Sequence, residues 1–254
     1  MRVLSGRTAA TGGAASRGVI TLGIMLATMM SALDMTVVNV SLPQMQGNLS
    51  STPEQITWVL TAYMIASAVM TPVSGWLASR FGIRALLLAS IAGFTLFSGL
   101  CGAAQNLTQM VLFRLLQGMT AATVTPLSQA VLLNINPRER HARAMALFTM
   151  AVVVAPAVGP VVGGWLTEEF SWRWCFYINL PAGLGALALL WVFLPAEPGE
   201  RRPFDFLGFG SIAVALTAFQ LMLDRGTTKD WFSSSEICLE AGFAATAFCM
   251  YLAH

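Results

Sequence analysis

The chain has 254 residues, of which 56% are hydrophobic and 10% charged, with a formal net charge of +2 and a mean hydropathy of +0.68. A chain this apolar is solvated mainly by lipid, which excludes an ordinary water-soluble domain. Its basic residues are dispersed between apolar runs instead of forming a stripe, so nucleic acid is excluded as a partner.

In chain order, residues 1–17 carry Arg2, Arg7 and Arg17 and no acid. A transit peptide shares that bias, but a plain cytoplasmic tail is the expectation. The run from Val19 to Val40 is too long for the apolar part of a signal peptide and stays as the first span. Further spans are expected at Trp58 to Leu77, Ala85 to Ala104, Leu107 to Leu127, Ala144 to Leu166, Trp174 to Leu194 and Phe206 to Leu223, with an eighth starting near Ala241. The fold class is therefore all-α, a polytopic membrane protein. The four cysteines, Cys101, Cys175, Cys238 and Cys249, lack CxxC spacing and are apolar filler, not metal ligands.

Basic residues set the orientation. The tail and the segments at 78–84, 134–143 and 195–205 hold Arg2, Arg7, Arg17, Arg80, Arg84, Arg138, Arg140, Arg143, Arg201 and Arg202, most of the 14 basic residues, while the alternate loops hold only Arg173, Arg225 and Lys229. The positive-inside rule then places the N-terminus in the cytoplasm.

Two ionisable residues fall inside the expected spans, Asp34 in the first and Arg114 in the fourth, and each costs roughly 2.5–3.5 kcal/mol to insert. Counted from the expected span ends, Asp34 lies about 9 Å and Arg114 about 10 Å deep, which permits an ion pair. Such a pair either neutralises two buried charges or holds a protonatable carboxylate beside a cation. Met25, Met29, Met30 and Met35 share the first span with Asp34, where flexible thioethers suit either core packing or a cavity for varied apolar shapes.

In the fifth span, Ala155, Gly159 and Gly163 recur every fourth residue and form a smooth helix face that lets a neighbouring backbone approach. Pro156 and Pro160 interrupt the same helix and predict a kink. Between the second and third spans, Gly75-Trp76-Leu77-Ala78-Ser79-Arg80-Phe81-Gly82-Ile83-Arg84 is expected to be a loop turning at Gly82. The aromatics Trp172, Trp174, Phe176 and Tyr177 at the start of the sixth span are expected to form an interfacial belt.

These segments together resemble the major facilitator superfamily, in particular its fourteen-helix drug:proton antiporters of the EmrB/QacA type, over essentially the whole chain. Leu33-Asp34-Met35-Thr36-Val37-Val38-Asn39-Val40-Ser41-Leu42-Pro43 resembles the helix-one signature LDxTVVNVALP, with Ser41 for its alanine. Gly75, Arg80, Gly82 and Arg84 match the GxLaDRxGRK loop, in which Ser79 replaces the usual acid and Ile83 a basic residue. Arg114, Gln117 and Gly118 match RxxQG in helix four. Ala155, Gly159, Pro160, Gly163 and Gly164 match the GxxxGPxxGG antiporter motif, with alanine at its first glycine. Ser171 to Pro181 and the stretches Leu223 to Gly226 and Asp230 to Ser234 narrow the likeness to EmrB-like members.

The resemblance implies an N-terminal six-helix half at 18–194 behind the 1–17 tail, a cytoplasmic linker at 195–205, and extra helices seven and eight at 206–254. The second half is absent, so the chain is expected to be a truncated product. It also implies an inner-membrane exporter exchanging protons for lipophilic drugs, with Asp34 and Arg114 in proton coupling. Implied partners are the lipid bilayer, the missing C-terminal half, and a periplasmic adaptor with an outer-membrane channel; no cofactor or metal is implied. The alternatives within transport are export of an endogenous metabolite, siderophore or fatty acid. A non-transporting half-protein is the third reading. An intramembrane enzyme is disfavoured because there is no HExxH, Asp34 has no second carboxylate nearby, and the only histidines are His141 and His254.

Overall fold

The computed structural model describes residues 14–195, 199, 203–226 and 228–254. Arg2 and Arg7 of the tail and Arg201 and Arg202 of the linker lie outside the described residues. Eleven α-helices follow one another, with no strand among the described residues: α1 Ala14–Asn48, α2 Pro53–Ile56, α3 Trp58–Met70, α4 Ser74–Phe81, α5 Ile83–Ala103, α6 Leu107–Ile135, α7 His141–Glu169, α8 Trp174–Tyr177, α9 Asn179–Phe193, α10 Phe206–Gly226 and α11 Ser235–Ala253. Seven are long and apolar enough to cross a membrane, or up to eight if the bent pair Pro53–Met70 and Ser74–Phe81 forms one span. Helices dominate because lipid offers no partner for a free N–H or C=O, and an α-helix satisfies its own.

Helix ends are closed locally. Thr52 and Gln55 form a reciprocal capping box before α2, and Asn106 accepts the Gln109 N–H at the start of α6. Arg173 donates to the carbonyls of Gly102 and Ala104 at 2.6 and 2.7 Å, closing the end of α5. Before α10, Asp205 accepts the Gly208 N–H at 2.8 Å, which holds its carboxyl below the usual carboxylate range.

Six spans pack as a bundle, α3 on α6, α1 on α7 and α9, and α5 between α6 and α9. The hairpin of α10 and α11 leans on α3. One buried cluster joins Ile24, Leu87, Phe94, Val124, Phe148 and Leu190; a second, beyond it, joins Val38, Met45, Cys101, Met110, Trp172 and Phe176. Between apolar surfaces that lipid would solvate equally well, hydroxyls supply the adhesion. Ser90 and Thr123 meet at 2.5 Å across α5 and α6, and Ser98 donates to the Phe176 carbonyl at 2.9 Å.

Several expectations change. The second span is bent by 59° at residues 71–73, where Pro72 lacks an N–H. The segment at 78–84 is no loop: helix continues to Phe81 and resumes at Ile83, leaving Gly82 alone at φ 84°, a conformation that suits glycine because it has no Cβ. Pro156 and Pro160 sit, as expected, within a single spanning helix, His141–Glu169. The eighth span starts at Ser235, earlier than Ala241, so Glu240 lies within it, and Asp224 and Arg225 fall in the last turn of α10. Trp172 and Phe176 are fully buried, so they belong to the core and not to an interfacial belt; Trp174 is 49% exposed. Cys101 and Cys175 are buried filler as expected, whereas Cys238 and Cys249 are exposed.

Candidate functional site

Asp34 faces the centre of the bundle and is 1% exposed; Arg114 is fully buried. Arg114 Nη1 meets Asp34 Oδ2 at 2.5 Å, making the ion pair that the two sequence positions suggested. The equal depths expected for the two residues do not hold. Helix α1 continues past Val40 to Asn48, so Asp34 is about 21 Å from its helix end, and the match rests on the close crossing of α1 and α6, not on equal distance from two ends.

Further donors complete the carboxylate's shell. Gln117 Nε2 donates to Asp34 Oδ1 at 3.1 Å and Asn179 Nδ2 to the same oxygen at 2.9 Å. Gln117 lies one helical turn after Arg114, and its Oε1 accepts from Arg114 Nη1 at 2.8 Å, so α6 presents a cation and an amide on one face. The rest of the guanidinium is also engaged: Nε donates to the Val59 carbonyl at 3.1 Å and Nη2 approaches the Met35 sulfur at 4.0 Å. The Tyr63 ring lies 4.3 Å and the Phe176 ring 5.7 Å from its central carbon, supplying cation–π attraction to the buried cation. Asn179 in turn donates to Ser98 Oγ at 3.0 Å, tying the cluster to α5.

Sequence reasoning found Asp34, Arg114 and Gln117 but left Asn179 and Ser98 without a role. Asn179 had a signal: a polar amide opening an apolar span, within a stretch already singled out. Ser98 had none, since a serine in a spanning helix ordinarily bonds back to its own turn, as Thr95 does to the Ile91 carbonyl at 2.7 Å. Removing Asn179 should cost about 1–3 kcal/mol, because Asp34 then loses one of its donors in a closed environment. Thermal unfolding of an Asn179→Leu chain in detergent, set against Asn179→Gln, checks this; equal stability in Asn179→Leu and the parent would remove the amide from the network.

The small-residue face of α7 is packed on the same helix that carries Asp34. A Cβ on Gly159 would fall on the Thr36 side chain, and one on Gly163 would come within 3.0 Å of the Val37 Cα and carbonyl oxygen. Ala155 is fully buried, whereas Pro160 faces outward and Gly164 has nothing near its absent Cβ. The antiporter stretch thus divides into a contact face and an open face. Gly118 plays a similar part between α6 and α3, where a Cβ would meet the Tyr63 backbone. Gly75, Arg80, Gly82 and Arg84 are not brought to the carboxylate: Gly75 opens α4, and Arg80, Gly82 and Arg84 lie at the turn between α4 and α5. There Ser79, in place of the acid, turns its hydroxyl back to the Trp76 carbonyl at 2.8 Å, so a charge relay through that position has no carboxylate to run on.

The two buried charges neutralise each other: a carboxylate held in an apolar core needs a counter-charge, and Arg114 supplies it. No group of three or more candidate metal-ligating residues occurs among the described residues.

Comparison with known proteins agrees with this architecture. The profile described as Major Facilitator Superfamily matches residues 24–253. The chain is 42% identical over 224 residues to the multidrug export protein EmrB of Haemophilus influenzae, covering 87% of this chain and 44% of that protein. It is 39% identical over 236 residues to EmrB of Escherichia coli K12, covering 92% and 46%. It is 43% identical over 220 residues to the fatty acid resistance protein FarB of Neisseria gonorrhoeae, covering 86% and 43%. The chain therefore spans about half the length of the curated relatives it matches. Among solved structures, the proton:xylose symporter XylE superposes with a TM-score of 0.64 at 15% identity, over 86% of this chain and 55% of that one. The transporter PepTSo superposes with a TM-score of 0.66 at 14% identity, over 93% and 52%.

Proposed function

The chain belongs to the major facilitator superfamily, and from that premise we propose that it is the N-terminal part of an exporter that moves lipophilic drugs or other toxic amphiphiles out across the inner membrane in exchange for protons. The observation that carries this reading is the closed Asp34–Arg114–Gln117–Asn179 network, an ionisable pair inside a transporter bundle with every charge satisfied. An intramembrane carboxylate is costly to insert, and proton relays are built from such groups. The contact of the α7 glycines with α1 beside Asp34 supports exchange, since it ties the helix bearing the carboxylate to a helix facing the pathway we infer between two halves.

Drug export follows the relatives named multidrug export proteins; the likeness to FarB favours fatty acids as the second substrate class. The proposed partners are a C-terminal half, a periplasmic adaptor and an outer-membrane channel. The decisive experiment supplies the full-length parent to a pump-deficient strain and measures resistance across panels of lipophilic drugs and of long-chain fatty acids, with and without an uncoupler. Protection abolished by the uncoupler is the expected result. No protection in either panel overturns export.

The alternating arginines predict the orientation. In a background lacking native cysteines, Ser50→Cys and Thr228→Cys should react with an impermeant thiol reagent applied to intact cells, and Arg140→Cys should not. Ser50 and Thr228 lie in exposed turns, and Arg140 is exposed in the 3-10 turn of helix that leads into α7. Labelling of Arg140→Cys from outside would reverse the topology.

A further inference from the structure

An apolar groove of about 770 Å³ runs along the outer surface where α5 and α9 diverge. Toward one end the two helices are locked together, since a Cβ on Gly183 would fall on Thr95, and beyond it a Cβ on Gly102 of α5 would meet the Tyr177 ring of α8. Toward the other, Ala85, Ala89 and Ala92 on α5 and Ala188 on α9 line the groove together with Leu88, Leu187, Trp191 and Val192. Ala85, Ala89 and Ala92 recur at helical spacing on one face, which leaves room between the larger side chains.

The mouth of the groove is cationic. Arg84, next to Ala85, donates from Nη2 to the Trp191 carbonyl at 2.6 Å, which pins the guanidinium beside the rim while leaving its other N–H groups for a ligand. Adjoining it is a niche of about 30 Å³ lined by Arg84, Asn134 and Pro195, among others. That volume admits an oxygen-sized group. The mouth lies at the turn between α4 and α5, at the level of the first residues of α1 if both spans cross, which is the cytoplasmic side in the orientation proposed above.

We propose that this groove is a binding site for an anionic phospholipid of the inner leaflet, with one acyl chain along the alanine wall and a phosphate oxygen in the niche between Arg84 and Asn134. The apolar length suits a hydrocarbon chain, which the surrounding bilayer supplies. The cation at the mouth selects the headgroup, because anionic lipids of the cytoplasmic leaflet are drawn to basic residues at its surface.

The test is lipid retention by the purified chain. The chain is equilibrated in mixed micelles with phosphatidylglycerol and phosphatidylcholine of matched acyl chains, and retained lipid is counted by native mass spectrometry. Preferential retention of phosphatidylglycerol is expected, falling about fivefold in Arg84→Gln, the equivalent of one basic residue at the surface. Ala89→Trp should remove retention of either lipid at this site, since the indole occupies the groove; Ala89 is exposed, so the helix tolerates it. Arg138→Gln, another exposed arginine expected on the same face, should leave the preference unchanged. Equal retention of both lipids by the parent overturns the site. So does unaltered retention in Ala89→Trp, or a loss in Arg138→Gln as large as in Arg84→Gln, which would trace the preference to a general surface charge. None of these outcomes depends on whether the parent exports drugs.

Discussion

Asp34→Asn in the full-length parent is expected to abolish proton-driven export while the protein still inserts. The amide keeps the shape of the carboxylate and can still meet Gln117 and Asn179, but it carries no exchangeable charge and leaves the Arg114 guanidinium buried without its counter-ion. Breaking a buried pair from one side costs about 3–5 kcal/mol, so thermal stability falls as well. The double variant Asp34→Asn with Arg114→Gln separates a structural role from a coupling role. Removing both charges relieves the burial cost, and the double variant should regain stability relative to either single one. It should still fail to couple. Asp224 and Glu240, which also lie in helices, do not replace Asp34: Asp224 accepts from Thr61 at 2.6 Å and Glu240 pairs with Arg225 at 3.4 Å, away from the network. Uphill, pH-driven export by the double variant in proteoliposomes would leave Asp34 as a member of a structural ion pair only.

Gly159→Leu is expected to abolish transport by the full-length parent, because even the first added carbon occupies the space of the Thr36 side chain on the helix that carries Asp34. Overpacking a tight contact costs about 1–3 kcal/mol where the neighbour can yield, and α1 is held on its other faces by α6 and α9. Gly159→Ala should already impair export. Gly164→Ala and Val161→Leu, on the same helix, should not: Gly164 meets nothing within 4 Å of its absent Cβ, and Val161 is 73% exposed. Drug efflux rates at matched expression decide this. Equal tolerance at positions 159 and 164 would show that α7 does not need to touch α1.

Much of this was legible from residues alone, for a reason that also marks its limit. Asp34 and Arg114 stood out because a charge in an apolar run is rare and costly, so each demanded a partner. Gln117 came with Arg114 through a signature at one-turn spacing. The Ala155, Gly159 and Gly163 face followed from fourfold spacing, and the structure shows what it is for, the close approach of Thr36 and Val37. Boundaries were less legible. A helix need not stop where its apolar run stops, so α1 passed through Pro43 to Asn48 and α11 began with the polar Ser235 and Glu236.

The number and kind of spanning elements were determined by the sequence itself, because the bilayer imposes a local rule: about twenty apolar residues whose backbone groups satisfy one another within the helix. Only the tertiary structure decided which face of each helix looks inward. In water an apolar stripe marks the buried side, but in lipid the inner and outer faces are both apolar and that contrast disappears. Hence Trp172 and Phe176 passed for interfacial aromatics until they were found in the core, Asn179 and Ser98 gave no sign of meeting beside Asp34, and the alanine wall of α5 and α9 became a groove only when the two helices came together.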